Sequence, residues 1–438
     1  MKRVAILTDF INHDPAYSLC SVVANQTKML AMDGYPTTVI VRPEFEQWVK
    51  QQVPVPVGVG ATALQTRDNP YGDAEIVAID PGRTGSNTVE VGDFSGAEIV
   101  ELTRQLKAAL ADIDVCLTHD LVFQPNQWKY HIAARRVARE LPSLKWLHWV
   151  HSNPANFDVL DQVGEFREEI EPPFPNGQLV VMHVEERQRK AAICGYPLHQ
   201  TVIIPNPIDF TESYHPAALE AIEKGGLWDA DCIAVYPCRL DRGKQPHILV
   251  EVFAQLIAMG ADAQIVFVDF HSVGGDKAEY REDMKAKARV AGVPVLFTSE
   301  LDYPEANYHI PHKAVMDLLE FGDILIHPSR SESDPLVVPE AAWKRCGLIL
   351  NYDLPLFHLY EGRALLYKFS SNIDVTTGMP GQTDTNYDDR DGYMRHVAGG
   401  IAYLMSKEST LYWHAKMRKT RSLQAVWRRH LWPAIEAS

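Results

Sequence analysis

No stretch of about 18 consecutive apolar residues occurs in this chain, so nothing in it is expected to span a membrane. Cysteine is sparse and unpaired in pattern. Cys20, Cys116, Cys194, Cys232, Cys238 and Cys346 form no Cys-x-x-Cys motif, which argues against a disulfide framework and predicts reduced, buried thiols. Positive charge is in deficit, 42 Lys and Arg against 57 Asp and Glu, a net of −15. That balance disfavours diffuse binding to nucleic acid or an anionic membrane, while leaving room for a local basic face. There is no internal repeat and no low-complexity tract. The opening apolar run, Val4 to Leu7, is too short for a signal peptide and runs into Asp9. It reads as a first strand, and the chain is expected to be cytoplasmic.

What is present is the composition of a globular protein: 438 residues, 46% apolar and 23% charged. That length suits two domains of roughly 200 residues better than one core. Short apolar runs alternate with amphipathic ones. Val4–Thr8, Thr37–Val41, Glu75–Ile79, Ile113–Thr118, Lys145–Val150, Leu179–Met182 and Val202–Ile204 read as strands, with helical patterns over Ser18–Met32 and Ala97–Leu110. The rhythm restarts with strands at Cys232–Pro237, Gln264–Val268, Val293–Thr298, Asp323–His327 and Leu348–Leu350. Helical stretches at Pro246–Met259, Asp276–Val290, Lys313–Phe321 and Val338–Lys344 separate these strands. Strands that are apolar throughout and alternate with helices predict an α/β protein with parallel sheets covered on both faces. Two such series predict two facing, doubly wound domains, divided near Pro205-Asn206-Pro207. Thr376–Asp391 is expected to be an exposed loop, and Tyr412–Trp432 an amphipathic helix with a basic face.

Ligands of open parallel sheets bind beyond the carboxyl ends of the strands, so the residues that follow each strand carry the functional reading. After Cys232–Pro237, Arg239 and Lys244 sit on a loop entering a helix near Gln245. Two cations beside a helix N-terminus suit a diphosphate. After Asp323–His327, Glu332 and Glu340 are separated by a tight turn. One carboxylate ahead of the helix and one in its first turn can accept hydrogen bonds from sugar hydroxyls and from a ribose, while the amides of Leu336 and Val337 face a phosphate. In the first half, Thr118-His119-Asp120 and His148-Trp149-Val150-His151 end adjacent strands, and Asn12 and His13 follow the first.

Together these segments resemble the retaining glycosyltransferases of family 4. The resemblance rests on Val202-Ile203-Ile204-Pro205-Asn206-Pro207-Ile208-Asp209, on Arg239-Leu240 to Lys244, on Asp323-Ile324-Leu325-Ile326-His327-Pro328-Ser329 and on the E-x7-E spacing of Glu332 and Glu340. It implies the GT-B fold: Rossmann-like domains over residues 1–205 (acceptor side) and 206–410 (donor side), facing across a cleft, with a C-terminal helix over 411–438 crossing back to the first. It implies that Arg239 and Lys244 hold the donor diphosphate, that Glu332 contacts the transferred sugar, and that Glu340 binds the ribose. His119 would lie near the reacting carbon, and the backbone at Thr298 and Ser299 against the base. Asn12, His13 and His151 are further candidate contacts to acceptor or sugar. The implied reaction is hexosyl transfer from a UDP- or GDP-sugar to a hydroxyl with retention at the anomeric carbon. The transition state is oxocarbenium-like, and the leaving phosphate takes the acceptor's proton on the same face.

The chain also departs from the family. Phe10-Ile11-Asn12-His13-Asp14-Pro15 replaces its Gly-Gly loop, Asp334-Pro335 replaces Phe-Gly, and Trp343, Lys344 and Arg345 replace small residues ahead of a retained Gly347. Pro335 supplies no amide hydrogen. No cofactor and no metal is expected: Asp112-x-Asp114 and Asp229-x-Asp231 match a DxD pattern, but the first opens a strand at the wrong end of its sheet. The donor is the expected partner, with an acceptor of unspecified class (small molecule, glycan or lipid). Two alternatives stand beside this reading. The basic segment Lys129–Arg139 and the basic C-terminal helix suggest a nucleic-acid acceptor, such as a hydroxymethylated base in viral DNA. The same fold also serves non-catalytic nucleotide-sugar-binding and epimerase-like proteins.

Overall fold

Alternating strands and helices build two compact units in this computed structural model. It describes residues 1–14, 16–50, 71–82, 96–124, 127–154, 166–171, 174–269, 277–303, 310–373, 380–383 and 388–437. One unit comprises Met1–Asp209 with Arg421–Ser438, the other Phe210–Thr420.

The first unit contains β1 (Val4–Leu7), β2 (Thr37–Val41), β3 (Glu75–Ala78), β4 (Val115–His119), β5 (Lys145–Trp149), β6 (Gly177–Val181) and β7 (Thr201–Ile203). Its helices are α1 (Ser18–Met32), α2 (Pro43–Lys50), α3 (Gly96–Ala109), α4 (Trp128–Glu140), α5 (Arg167–Ile170) and α6 (Val184–Ile193). All the strands run parallel, in the order β3-β2-β1-β4-β5-β6-β7. Successive strand residues face opposite sides of a sheet, and here both sides are buried. Val4 and Ile6 share one apolar cluster with Leu19 and Val23 of α1, while Ala5 and Leu7 share another with Leu102 and Leu106 of α3 and Val137 of α4. This is why the strands read as unbroken apolar runs.

The second unit repeats the plan. Its elements are α7 (Pro216–Gly225), β8 (Cys232–Cys238), α8 (Pro246–Ala258), β9 (Ala263–Asp269), α9 (Lys277–Ala291), β10 (Val295–Phe297), α10 (His312–Phe321), β11 (Ile324–His327), α11 (Val337–Trp343), β12 (Gly347–Asn351), β13 (Leu365–Tyr367) and α12 (Arg390–Lys407). The strands are parallel, in the order β10-β9-β8-β11-β12-β13. Numbered from the first strand of each unit, both sheets share the 3-2-1-4-5-6 order of Rossmann-like doubly wound folds, the α/β class expected from the sequence. Gly347 opens β12 because a Cβ there would lie 2.8 Å from Leu404 and 3.1 Å from Leu411.

Two expectations need correction. The span 376–391 is not simply a loop. Its residues 376–379 and 384–387 lie outside the described residues, Pro380–Thr383 pairs antiparallel with Ser371–Ile373, and α12 begins at Arg390. Nor is the C-terminus one helix. It divides into α13 (Ser409–Arg421), α14 (Leu423–Val426), a π-turn (Trp427–Leu431) and α15 (Trp432–Glu436). Ser422 breaks the run, its hydroxyl capping α14 by accepting from the Ala425 amide at 3.2 Å. The chain rejoins the first unit at Arg421, ten residues later than the expected start at 411. The reason is Arg418. Its guanidinium donates to both oxygens of Asp323, at 3.1 and 2.8 Å, and to the carbonyls of Phe321 and Ala230. Asp323 is fully buried and also accepts from the Ile233 amide at 2.9 Å. Beyond Arg421, Leu423, Val426, Trp427, Leu431 and Ile435 join the α1 face of the first sheet, and Trp427 Nε1 donates to Asp33 at 2.6 Å.

Candidate active site

Rossmann-like sheets bind ligands where the strand order reverses. In the second unit that point lies between β8 and β11, and a cavity of about 580 Å³ opens there. It is lined by Pro237 and Cys238 at the end of β8, His327 at the end of β11, and the loops that follow them. Arg239, Lys244, Glu332, Leu336, Val337 and Glu340 all line this one cavity, so it gathers six of the residues singled out in the sequence.

The β8 loop is fixed from several sides. Asp241 caps a short 3-10 turn, Arg242–Lys244, its carboxylate accepting from the Lys244 amide at 3.0 Å. Tyr236 donates its hydroxyl to the Lys244 carbonyl at 2.9 Å. Gln245 then takes a left-handed conformation (φ 50°), which a non-glycine residue holds only when its surroundings compensate. They do: its buried amide donates to the Pro328 carbonyl at 2.6 Å and accepts from the Ser370 hydroxyl at 3.0 Å. Gln245 thereby ties the β8 loop to the β11 loop. Pro246 in the first turn of α8 starts the helix.

The charges differ in their partners. Lys244 Nζ donates to Glu332, as does His327 Nε2 at 3.0 Å. Burial alone would raise the Glu332 pKa, but the hydrogen bonds from His327 and Lys244 outweigh it and hold the carboxyl down to about 2. Burial lowers the His327 pKa more than Glu332 raises it, so the imidazole is neutral and its Nε2–H is the donor. His327 Nδ1 is buried with no hydrogen-bond partner among the described residues. Glu340 is paired with the exposed His312, Nε2 to Oε1 at 2.9 Å. Arg239 alone of the four charged groups has no side-chain ion pair among the described residues.

His327 and His312 were not singled out from sequence. His327 carried a signal: it is the one polar residue of β11 and sits at the carboxyl end, the same criterion that picked out His119. His312 carried none, since only folding brings α10 beside α11.

Thr298 and Ser299 are not part of this lining. They follow β10, two strands further along the same sheet edge, where the Ser299 amide donates to Asp269 at 2.9 Å and Arg281 donates to the Ser299 hydroxyl at 2.6 Å. Helix α11 has only seven residues, so Leu336 and Val337 contribute to the wall at its very start.

In the first unit the strand order reverses between β1 and β4. His119 ends β4 and is fully buried, with Nε2 2.8 Å from Gln26 Oε1 and Nδ1 3.0 Å from His151 Nε2. Burial, and then the neighbouring His151, push its pKa far below the usual histidine range. The Gln26 oxygen can only accept, so Nε2 of His119 carries the hydrogen and Nδ1 accepts from His151. Asp120 (φ 50°) holds the following loop, accepting from the His151 amide at 2.7 Å and the Ser152 hydroxyl at 2.7 Å. The His13 ring rests on Trp48 and Tyr71, and Asn12 is exposed.

The basic segments are partly engaged in internal pairs, while Arg139, Lys416, Arg428 and Arg429 are exposed. Lys129 is buried beside Glu98, Arg136 forms a two-bond pair with Glu169 at 2.7 Å, and Lys419 pairs with Asp231. Of the DxD candidates, Asp112 and Asp114 face Arg3, and Asp231 is taken by Lys419. No group of three His, Cys, Asp or Glu placed to hold a metal occurs among the described residues. No described helix is long and apolar enough to cross a membrane. All six cysteines are buried and unbridged.

No family model and no curated protein matches the chain. Among solved structures it is similar to HepE of Anabaena, determined with UDP-glucose (12% identity, 98% of each chain, TM-score 0.34). It is also similar to a glycosyltransferase of Rickettsia africae (13% identity, 100% of this chain and 99% of that one, TM-score 0.35). A third is WaaG, a glycosyltransferase of lipopolysaccharide biosynthesis (11% identity, 99% and 100%, TM-score 0.32). Similarity at this level carries no functional weight, which falls to the chain's own residues.

Proposed function

We propose that the chain is a retaining glycosyltransferase that moves a hexose-type sugar from a UDP- or GDP-sugar to a hydroxyl acceptor. No metal is required in this reading. The observation that carries it is the convergence of Arg239, Lys244, Glu332 and Glu340 on one cavity at the β8–β11 switch point. Two cations beside the start of α8 suit a diphosphate, and they offset the charge that builds on it as the glycosidic bond breaks. Two ionisable carboxylates within the same cavity suit the hydroxyls of a sugar and a ribose. Ile310, Pro311 and Val315 provide an apolar wall. In this reading Glu332 and Glu340 hold hydroxyls rather than attack the sugar, and the leaving phosphate is the base that takes the acceptor's proton on the departing face. His119 and His151 are proposed to lie near sugar or acceptor; both ring nitrogens of His119 are engaged by Gln26 and His151, so a hydroxyl would be met by Nδ1 of the neutral His151. The nucleic-acid reading is not favoured, because the net charge is −15 and Lys129, Arg136, Arg418 and Lys419 of the segments that prompted it are held in internal ion pairs.

Hydrolysis or transfer assayed on UDP- and GDP-sugars tests this and separates an enzyme from a binding protein. Wild-type protein should turn over at least one donor, and Arg239→Ala should lower the rate by roughly a hundredfold, the effect of losing one preorganised charge-stabilising donor. Turnover that persists unchanged in Arg239→Ala and Glu332→Ala would contradict the assignment.

A further inference from the structure

Of the two cations lining the cavity, Lys244 is engaged, and Arg239 has no ion pair among the described residues. Lys244 is held by Glu332, and both side chains are mostly buried, 16% and 11% exposed. A diphosphate entering the cavity therefore meets Arg239 as an available charge and Lys244 as half of a neutral pair. Glu332 has a second donor that does not depend on Lys244, the Nε2–H of His327 at 3.0 Å. His327 is itself clamped by edge-on rings of Tyr236 and Phe357, with centroids 5.7 and 5.6 Å away. Its donor thus stays in place whatever Lys244 does.

We propose that donor binding exchanges the partner of Lys244. In the empty cavity Lys244 is parked on Glu332; the donor diphosphate draws it off, and Glu332, kept in place by His327, is freed to accept a hydroxyl of the donor sugar. His327 is then a positioning residue, which acts on the donor only through Glu332. This rests on the nucleotide-sugar reading above and adds to it an order of events. The phosphate contact and the sugar contact are made together, so a nucleotide without its sugar must break the Lys244–Glu332 pair and gains nothing at Glu332 in return. Leaving a buried carboxylate short of one donor has a real cost, and only the full donor repays it.

The consequence is unusual for a binding-site carboxylate: removing its charge should strengthen binding of the nucleotide alone. Calorimetric titration of UDP, GDP, ADP and dTDP identifies the nucleotide that wild-type protein takes. Glu332→Gln should bind that nucleotide about fivefold to tenfold more tightly, the release of one partly buried ion pair. The matching sugar nucleotide should lose its advantage over the bare nucleotide. In a Lys244→Ala background the gain from Glu332→Gln should vanish, which separates partner exchange from the general benefit of deleting a negative charge. His327→Phe should weaken the sugar nucleotide more than the nucleotide, and His327→Gln, which restores an N–H donor, should recover it. Glu332→Asp, too short to keep Lys244, provides the same release if Glu332→Gln does not fold. Nucleotide binding that is unchanged or weaker in both Glu332 variants, or a gain that survives Lys244→Ala, overturns the exchange alone. Wild-type protein that binds none of the four nucleotides and none of the matching sugar nucleotides overturns the donor assignment and the exchange with it.

Discussion

At the switch point of the first unit, the buried His119 and the half-buried His151 are neutral and bonded to each other; at that of the second, Arg239, Lys244, Glu332 and Glu340 line an open cavity. The strand order is the same in both units, so topology places the polar groups and burial decides their state. The imidazole pair gives up its charge because desolvation penalises the ionised form. Glu332, mostly buried as well, keeps its charge because hydrogen bonds from His327 and Lys244 hold its carboxylate. Neutral imidazoles are suited to uncharged hydroxyls, and opposed ions to a diphosphate.

Acid separates the two units most strongly. His119, His131, His148 and His151 of the first unit are all depressed, His148 to about 3, with burial as the leading cause in each. When the chain unfolds, these rings bind protons near pH 6.5, whereas the folded sites do not. Stability therefore falls as pH drops below about 6.5, by up to about 1.4 kcal/mol per pH unit for each ring and about 5 kcal/mol for the four. In the second unit, His247 (about 4) and His327 are the histidines so depressed among the described residues. Glu332 contributes there with the opposite midpoint: its stabilisation is complete above about 4.5 and is lost only as pH falls towards 2. Calorimetry between pH 7.5 and 5, with hydrogen exchange assigning the transitions, should show the first unit melting earlier as pH falls. Equal acid sensitivity in the two units would contradict the neutral-histidine account.

A reciprocal change targets the second unit. Arg418→Ala leaves Asp323 buried without its main counter-charge, which should cost about 3–5 kcal/mol. Denaturant unfolding should show the loss in the second unit, with the first little changed. A smaller effect is expected from His151→Phe, which removes the donor to His119 Nδ1 and should cost about 1–2 kcal/mol. Nitrogen NMR of wild-type protein should find His119 neutral with the hydrogen on Nε2, and a charged His119 at pH 7 would refute the assignment.

Much of this was legible in the sequence because strands buried on both faces write themselves as unbroken apolar runs. The β8 and β11 loops were legible for the same reason, since the carboxyl end of such a run fixes where Arg239, Lys244 and Glu332 emerge. What stayed hidden depends on contacts distant in the chain. Gln26 as the partner of His119, His312 as that of Glu340, and the Asp323 clamp on Arg418 link residues 93, 28 and 95 positions apart. No local pattern encodes those pairs. The C-terminal break was hidden differently: periodicity continues across Ser422, and only its capping hydroxyl ends the helix. Thr298 and Ser299 were drawn from the resemblance, and they stand outside the lining of the cavity that holds the other donor-side candidates.

The central claim is that the cavity between β8 and β11 holds a nucleotide-sugar by its charged groups. Thermal unfolding of wild-type and Lys244→Ala protein with UDP-, GDP-, ADP- and dTDP-glucose tests it most directly. The account predicts stabilisation by at least one of the four, near 2.7 kcal/mol at about a hundredfold excess over Kd, and a clear reduction in the variant. No stabilisation by any of the four, or an equal shift in Lys244→Ala, would contradict it.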